Sequence, residues 1–248
     1  MIQLENNRVE IIGNQTLIHG DCLKVMDKLE DKSVDLILCD LPFGTTWEKW
    51  DTILDFEKLW KQYNRIIKPN CAIVLFSSQP FTTKLINSNL KNYKYSWYWI
   101  KNIKGNYLNA KRQPLRQLEE INIFNKHLYI PQGTTTINKI SKRGSSAKTT
   151  LCNYENEWFQ EFTSYPSNIL NYNLDSEKFH STQKPVELLE YLIKTYTKEG
   201  AVVLDNCAGS FSTLVACQNT NRNGIGIELD EKYYNIGVER VINNVKVD

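Results

Sequence analysis

Apolar residues along this chain follow two rhythms in turn. Short continuous runs alternate with stretches in which apolar positions recur every three or four residues. Residues 34–39 (VDLILC) and 71–76 have the unbroken apolar character of strands covered on both faces. Between them, residues 56–67 carry the helical period, stopped by Pro69-Asn70. Residues 80–90 read as a second helix, and 95–100 and 121–124 as strands with aromatic alternation. Further on, Pro185 opens a helix through Tyr196, with Val186, Leu189, Leu192, Ile193 and Tyr196 on one face. A strand at 202–204, a helix at 212–218 and a strand at 225–227 follow, and Asp230 caps a helix running toward Val241. Strand and helix in alternation predict an α/β fold, a mostly parallel sheet with helices on both faces.

The rhythm fails between residues 126 and 173, which are rich in Thr, Ser, Asn, Gly and Lys. An irregular insert of that length in a compact domain is usually functional or disordered. Its charge points to the former. The whole chain carries only +2, yet residues 101–150 hold ten Lys/Arg against Glu119 and Glu120, leaving the remainder net acidic. Such asymmetry suits a segment facing a polyanion. The length of 248 residues fits a single domain, 1–248, around one sizeable core. The first twelve residues include Glu5, Arg8 and Glu10 and lack a signal-peptide layout, and no apolar run would cross a bilayer. The expectation is a cytoplasmic protein with no membrane partner. Six cysteines form no C-x-x-C pair and have no His at ligand spacing, so buried free thiols and no metal are expected.

Two segments place chemistry at strand ends. Val202 to Thr213 (VVLDNCAGSFST) is a strand ending in Asp205, a turn of small residues, then a helix start. That arrangement gathers backbone N–H groups and a carboxylate where doubly wound sheets bind ligands. The next strand ends in Glu228, placed to accept the hydroxyls of a ribose, and the absence of G-x-G-x-x-G argues against a dinucleotide. Asp40-Leu41-Pro42-Phe43 puts a carboxylate, a rigid bend and a ring at the end of another strand.

Asp40-Leu41-Pro42-Phe43 resembles the Asp/Asn/Ser-Pro-Pro-Tyr/Phe motif of the DNA amino-methyltransferases. DNCAGSFSTLVAC is similar to that family's cofactor loop, commonly Asp-Pro-Phe-x-Gly-Ser-Gly-Thr. His180-Ser181-Thr182-Gln183-Lys184-Pro185 resembles its His-Pro-Thr-Gln-Lys-Pro segment, and Gly20-Asp21 its Gly-Asp at the cofactor adenine. The catalytic motif precedes the cofactor loop, as in the circularly permuted beta class, and the basic insert falls where that class carries its target-recognition region. The match covers almost the whole chain outside the insert.

The resemblance implies a Rossmann-like fold, S-adenosylmethionine as cofactor, duplex DNA as partner, and methylation of an exocyclic amine after base flipping. It implies that Asp40 and the Leu41 carbonyl accept hydrogen bonds from the target amine, with Pro42 setting the bend and Phe43 stacking on the base. Asp21 and Cys22 would lie at the cofactor adenine and Glu228 at its ribose. Asp205, Asn206, Ala208, Gly209 and Ser210 would lie near its methionine part, with Thr182 and Lys184 at the carboxylate. Lys111, Arg112 and Arg116, and within the insert Lys139, Lys142, Arg143 and Lys148, are the candidate DNA contacts, Arg143 foremost because its fork suits guanine or phosphate. A homodimer and a cognate restriction endonuclease are further partners consistent with the resemblance. Family members acting on N4 of cytosine usually have Ser where Asp40 stands, so N6 of adenine is expected. Protein glutamine methylation goes with Asn at that position, and RNA is a further substrate to weigh. A DNA-binding specificity subunit without activity would not need Asp40, Phe43, Asp205 and Glu228 together. Leu41 replaces the usual second Pro, where only a backbone carbonyl is called for. Phe211 stands where Gly is usual, so its ring is expected to crowd the cofactor or line its pocket.

Overall fold

The computed structural model describes residues 7–45, 51–142, 157–177, 179 and 182–245. They fall into two compact units, one of residues 1–130 with 168–248 and one of residues 131–167. In the larger unit the strands are β1 (Arg8–Ile12), β2 (Gln15–His19), β3 (Val34–Asp40), β4 (Ile67–Ser77), β5 (Tyr93–Gly105) and β6 (Arg116–Phe124), then β9 (Ile169–Asn171), β10 (Val202–Asp205) and β11 (Asn223–Glu228). Its helices are α1 (Cys22–Asp27), α2 (Phe56–Ile66), α3 (Phe81–Ser88), α4 (Val186–Tyr196), α5 (Ser212–Asn219) and α6 (Glu231–Asn243). The smaller unit is a hairpin of β7 (Thr135–Lys142) and β8 (Glu157–Thr163).

Among the described residues nine strands form one sheet, in the order β1-β2-β11-β10-β3-β4-β6-β5-β9. The centre, β2-β11-β10-β3-β4, is parallel throughout, while β1 joins antiparallel to β2 and β6 antiparallel to β4. Side chains alternate across it as the period of two requires. Ile37 and Cys39 of β3 pack with Val25 of α1 and Leu59 and Tyr63 of α2. Leu36 and Leu38 pack on the opposite face with Leu188, Leu189 and Leu192 of α4. Each such side chain, fully buried, contributes about 1.5–3 kcal/mol. Asp21, Asp55 and Asp230 cap α1, α2 and α6, each accepting two backbone N–H groups.

The chain reverses direction around β3. Helix α2, which follows β3, lies in one layer, while α5, which follows β10, supplies Ala216 and Cys217 to the other. Because β3 and β10 are neighbours, their carboxyl ends open into a crevice at a topological switch point, where open α/β sheets bind ligands.

Several boundaries differ from the sequence reading. Strand β4 starts at Ile67 and runs through Pro69, which sits where the β3–β4 register shifts, between Val34 and Leu36. A bulge is one of the few strand positions that tolerate a residue with no N–H. The stretch 126–173, expected to be irregular, contains β7, β8 and β9. Strands β7 and β8 pair through their backbones while leaving Ile140 and Phe159, cross-strand partners, 65% exposed, so the alternation that betrays a core strand is missing. Among the described residues no helix is long and apolar enough to cross a membrane, and no group of three His, Cys, Asp or Glu is placed to hold a metal.

Candidate active site

The carboxyl ends of β3, β10 and β11 surround a cavity of about 480 Å³. That volume lies within the usual range for small-molecule sites, roughly 300–1,000 Å³. All four sequence segments singled out above reach it: Asp21 and Cys22, Asp40 to Phe43, Thr182 to Lys184, and Asp205 to Ser210, with Glu228 beside the last.

Asp205 organises the loop after β10. Its Oδ1 accepts from the Cys207 N–H at 3.2 Å and its Oδ2 from the Thr213 hydroxyl at 2.5 Å, tying loop to helix. Burial pushes its carboxyl up to about 6. The Ala208 N–H donates to the Ile227 carbonyl at 2.9 Å, and Gly209 takes φ +52°, a left-handed conformation that favours glycine. Asn206 accepts the Tyr63 hydroxyl at 2.5 Å. Glu228 closes the turn: Oε2 accepts the Gly209 N–H and Oε1 the Asp230 N–H, both at 2.7 Å. Burial raises its pKa to about 7.

Asp40, at the end of the neighbouring strand β3, lines the same cavity. Its Oδ2 accepts a charge-assisted hydrogen bond from the Lys184 ammonium, while Oδ1 is buried and has no hydrogen-bond partner. Lys184 is only 7% exposed and lies 3.4 Å from a Glu119 carboxylate oxygen; Glu119 in turn pairs with Lys101. The row Asp40–Lys184–Glu119–Lys101 is therefore balanced in charge, as a buried cluster must be. Burial raises the Asp40 pKa, with Lys184 opposing it. Burial works against the Lys184 charge, but Asp40 and Glu119 outweigh it and its pKa rises. Lys184, expected at a cofactor carboxylate, thus has its ammonium on two protein carboxylates.

Phe43 stacks on Phe81 with centroids 5.0 Å apart and planes at 24°. Asp51 fixes the turn beyond it, accepting the Gly44 and Thr45 N–H groups at 2.8 Å each. Phe211 does not line the cavity. It adopts φ 58°, ψ 34° and buries its ring completely with Leu17, Leu214 and Tyr234. A Cβ on Gly226 or Gly237 would sit 2.5 or 2.0 Å from that ring, so the two glycines are the space it fills. The expected crowding of the cofactor pocket does not occur.

Lys111, Arg112 and Arg116 are exposed on the β5–β6 hairpin, and Lys139 and Lys142 on the smaller unit, where Lys142 pairs with Glu157 at 2.7 Å. Arg143, Lys148, Trp47 and Trp50 lie outside the described residues, as do His180 and Ser181. Trp97 and Trp99 are core residues. Glu119 and Asp51 escaped the sequence reading. The only signal for Glu119 was a carboxylate beside the apolar end of β6, and Asp51 carried none.

The profile of the family described as DNA methylase matches residues 34–239, most of the chain. The chain belongs to the DNA methylase family. Among relatives of this DNA methylase, the type II methyltransferase M.HpaI of Haemophilus parainfluenzae is 28% identical over 92% of this chain and 74% of its own length. The DNA adenine methyltransferase YhdJ of Escherichia coli strain K12 is 29% identical over 92% and 84%. The fold matches solved DNA methyltransferases: the cytosine-N4-specific PvuII enzyme with TM-score 0.67, 16% identity, covering 95% of this chain and 89% of that one. The M1.HpyAVI–SAM complex matches with TM-score 0.61 and 22% identity, over 91% and 99%. The proteins it is similar to thus include one named for adenine, by sequence, and one named for N4 of cytosine, by fold.

Proposed function

We propose that this DNA methylase transfers a methyl group from S-adenosylmethionine to N6 of adenine in duplex DNA, on a base turned out of the stack. The observation that carries the reading is the Asp40 carboxylate. One oxygen is held by Lys184; the other, Oδ1, is buried and unpartnered, and the residue itself lines the cavity. An unsatisfied buried acceptor costs about 1–3 kcal/mol until a donor reaches it. An amino group on a flipped base is such a donor.

S-adenosylmethionine supplies a sulfonium-activated methyl group. The exocyclic amine is a poor nucleophile because its lone pair is delocalised into the ring. Asp40 Oδ1 and the Leu41 carbonyl each accept one N–H of that amine, holding the nitrogen toward tetrahedral geometry and freeing the lone pair for attack. Attack by the amine would form the C–N bond as the methyl–sulfur bond breaks, its electron pair going to sulfur to leave S-adenosylhomocysteine, and the positively charged amine would give up its extra proton toward Asp40. Lys184 keeps Asp40 oriented and opposes the rise that burial imposes on its pKa, and Glu119 and Lys101 balance Lys184. Phe43, backed by Phe81, offers a face to the base; aromatic stacking returns roughly 1–3 kcal/mol of the flipping cost.

For the cofactor, the ribose hydroxyls fall to Glu228, the adenine to Asp21 and Cys22, and the methionine part to Asn206 and the Ala208–Ser210 backbone beside Thr182. Asp205 acts by holding that backbone in place. The assignment to adenine rests on Asp40 in the position where cytosine enzymes of this family usually carry Ser. The insert 126–173, whose hairpin core is residues 131–167, reads the target through Lys139, Lys142, Arg143 and Lys148, while Lys111, Arg112 and Arg116 hold phosphates.

Transfer of labelled methyl to DNA, followed by digestion and mass spectrometry of the nucleosides, tests this. N6-methyladenine is expected. N4-methylcytosine alone would overturn the base assignment, and no transfer would overturn the reading. Asp40→Ala is expected to abolish transfer and retain cofactor binding.

A further inference from the structure

The hairpin joining β5 to β6 ends in a feature that methyl transfer does not use. Gly105 pairs with Arg116, and the chain between them turns through a single 3-10 turn, Tyr107–Asn109. The turn is closed by its own hydrogen bonds. The Asn109 and Ala110 N–H groups donate to the Asn106 and Tyr107 carbonyls at 3.0 and 3.1 Å, and Asn109 Nδ2 donates to Asn106 Oδ1 at 2.7 Å. On this built tip Leu108 is 102% exposed and Tyr107 66%, with Ile103 on the adjoining strand 48% exposed. Single exposed apolar residues are common. Three on one hairpin end, among the exposed cations Lys104, Lys111, Arg112 and Arg116, are a patch with a surround of one charge.

The direction of the hairpin gives the patch its meaning. Asp40 is level with Phe76, and Phe76 with Ile121, across adjacent strands. Strand β6 runs antiparallel to β4, so its amino end continues past the carboxyl ends of β3 and β4, on the cavity side. Arg116 stands five residues beyond Ile121, about 17 Å at the rise of a strand. Glu119, between them, lines the cavity. The apolar tip therefore projects from the same side of the sheet as Asp40, carrying cations suited to phosphates.

We infer that Leu108, supported by Tyr107, is a wedge that enters the base stack of duplex DNA and occupies the gap left when the target base turns into the Asp40 cavity. The inference rests on the reading of the chain as a base-flipping DNA methyltransferase. Apolar wedges inserted between base steps are a recurrent way of holding a duplex distorted. The tip cations hold the backbone on either side, and the turn's internal hydrogen bonds keep the wedge rigid before it meets DNA.

The test uses the full chain and a duplex bearing the sequence it methylates, identified by sequencing DNA from cells that express it. Wild type, Leu108→Ala and Leu108→Phe are assayed on the matched duplex and on one with a mismatch opposite the target base. A mismatch removes part of the cost of unpairing. Leu108→Ala is expected to lose roughly tenfold or more in kcat/KM on the matched duplex and to recover most of it on the mismatched one. Leu108→Phe, which keeps the bulk, is expected to stay near wild type. 2-Aminopurine at the target position is expected to brighten with wild type and not with Leu108→Ala. Equal loss on both duplexes, no loss on either, or a variant that dissociates a dimer while flipping normally would overturn the wedge. Wild type that methylates no DNA would instead overturn the reading beneath it.

Discussion

Replacing Phe211 by Gly separates two accounts of the loop after β10. If the ring lined the cofactor pocket, its loss would change cofactor affinity and leave stability alone. In the structure the ring is fully buried between β11 and α6, edge-on to Tyr234 at 5.9 Å. Truncating a buried Phe costs about 3–5 kcal/mol. Against that, a non-glycine residue at φ 58° carries backbone strain of about 1 kcal/mol, which Gly relieves. The net expectation is a loss of about 2–4 kcal/mol in urea unfolding. For a chain of this size each kcal/mol lowers Tm by about 2–4 °C. S-adenosylmethionine affinity, measured by calorimetry on the folded variant, is expected to change by less than about threefold, since roughly 0.6 kcal/mol covers that factor. The neighbouring glycines offer a second check. Gly237→Ala alone places a Cβ 2.0 Å from the Phe211 ring and should cost about 1–3 kcal/mol by overpacking. In the Phe211→Gly background that cost should largely vanish, a coupling of about 1 kcal/mol or more. A stability loss below 1 kcal/mol with a marked change in cofactor affinity, or strict additivity with Gly237→Ala, would refute the packing argument.

Three further outcomes are expected. Lys184→Met removes the ammonium that opposes the burial-raised pKa of Asp40, so the acidic limb of the kcat–pH profile should move to higher pH while S-adenosylmethionine affinity holds; weakened cofactor binding with an unmoved profile would place Lys184 on the cofactor instead. Glu228 titrates at about 7, raised by burial from 4.5. Ribose hydroxyls donate best to its ionised form, so affinity should rise with pH through about 7 and level off, a dependence that Glu228→Gln should flatten; the same raised pKa means its contribution to folding is present below 4.5 and lost as pH rises through 7. Lys139→Ala on the β7–β8 hairpin should weaken DNA binding and reduce the salt slope by about 1 if it grips phosphate, and salt titrations of binding to specific and scrambled duplexes would expose a purely solvated charge as no change in either.

The sequence by itself determined where along the chain the apolar core strands fall and which carboxylates stand at their ends. Strands β3, β10 and β11 are short and carry runs of aliphatic residues, so local composition suffices to find them, and each ends in an acidic residue next to a turn. Asp230 as the cap of α6 was legible for the same reason: a cap is a local hydrogen-bond pattern. Strands β7 and β8 were not legible, because a hairpin joined by backbone pairing and left exposed needs no apolar alternation. Nor was the partner of Lys184. The Thr-Gln-Lys-Pro segment pointed to the cavity, but only folding brings residue 184 onto Asp40 and Glu119, far apart in the chain, and only there does balance of buried charge decide which anion the ammonium meets. Phe211 gives the clearest division. Its place in a loop of small residues suggested a ring in the pocket. The conformation of one backbone position, and the room left by Gly226 and Gly237 on two other elements, turned it into the core, and such room is a property of packed elements rather than of any stretch of sequence.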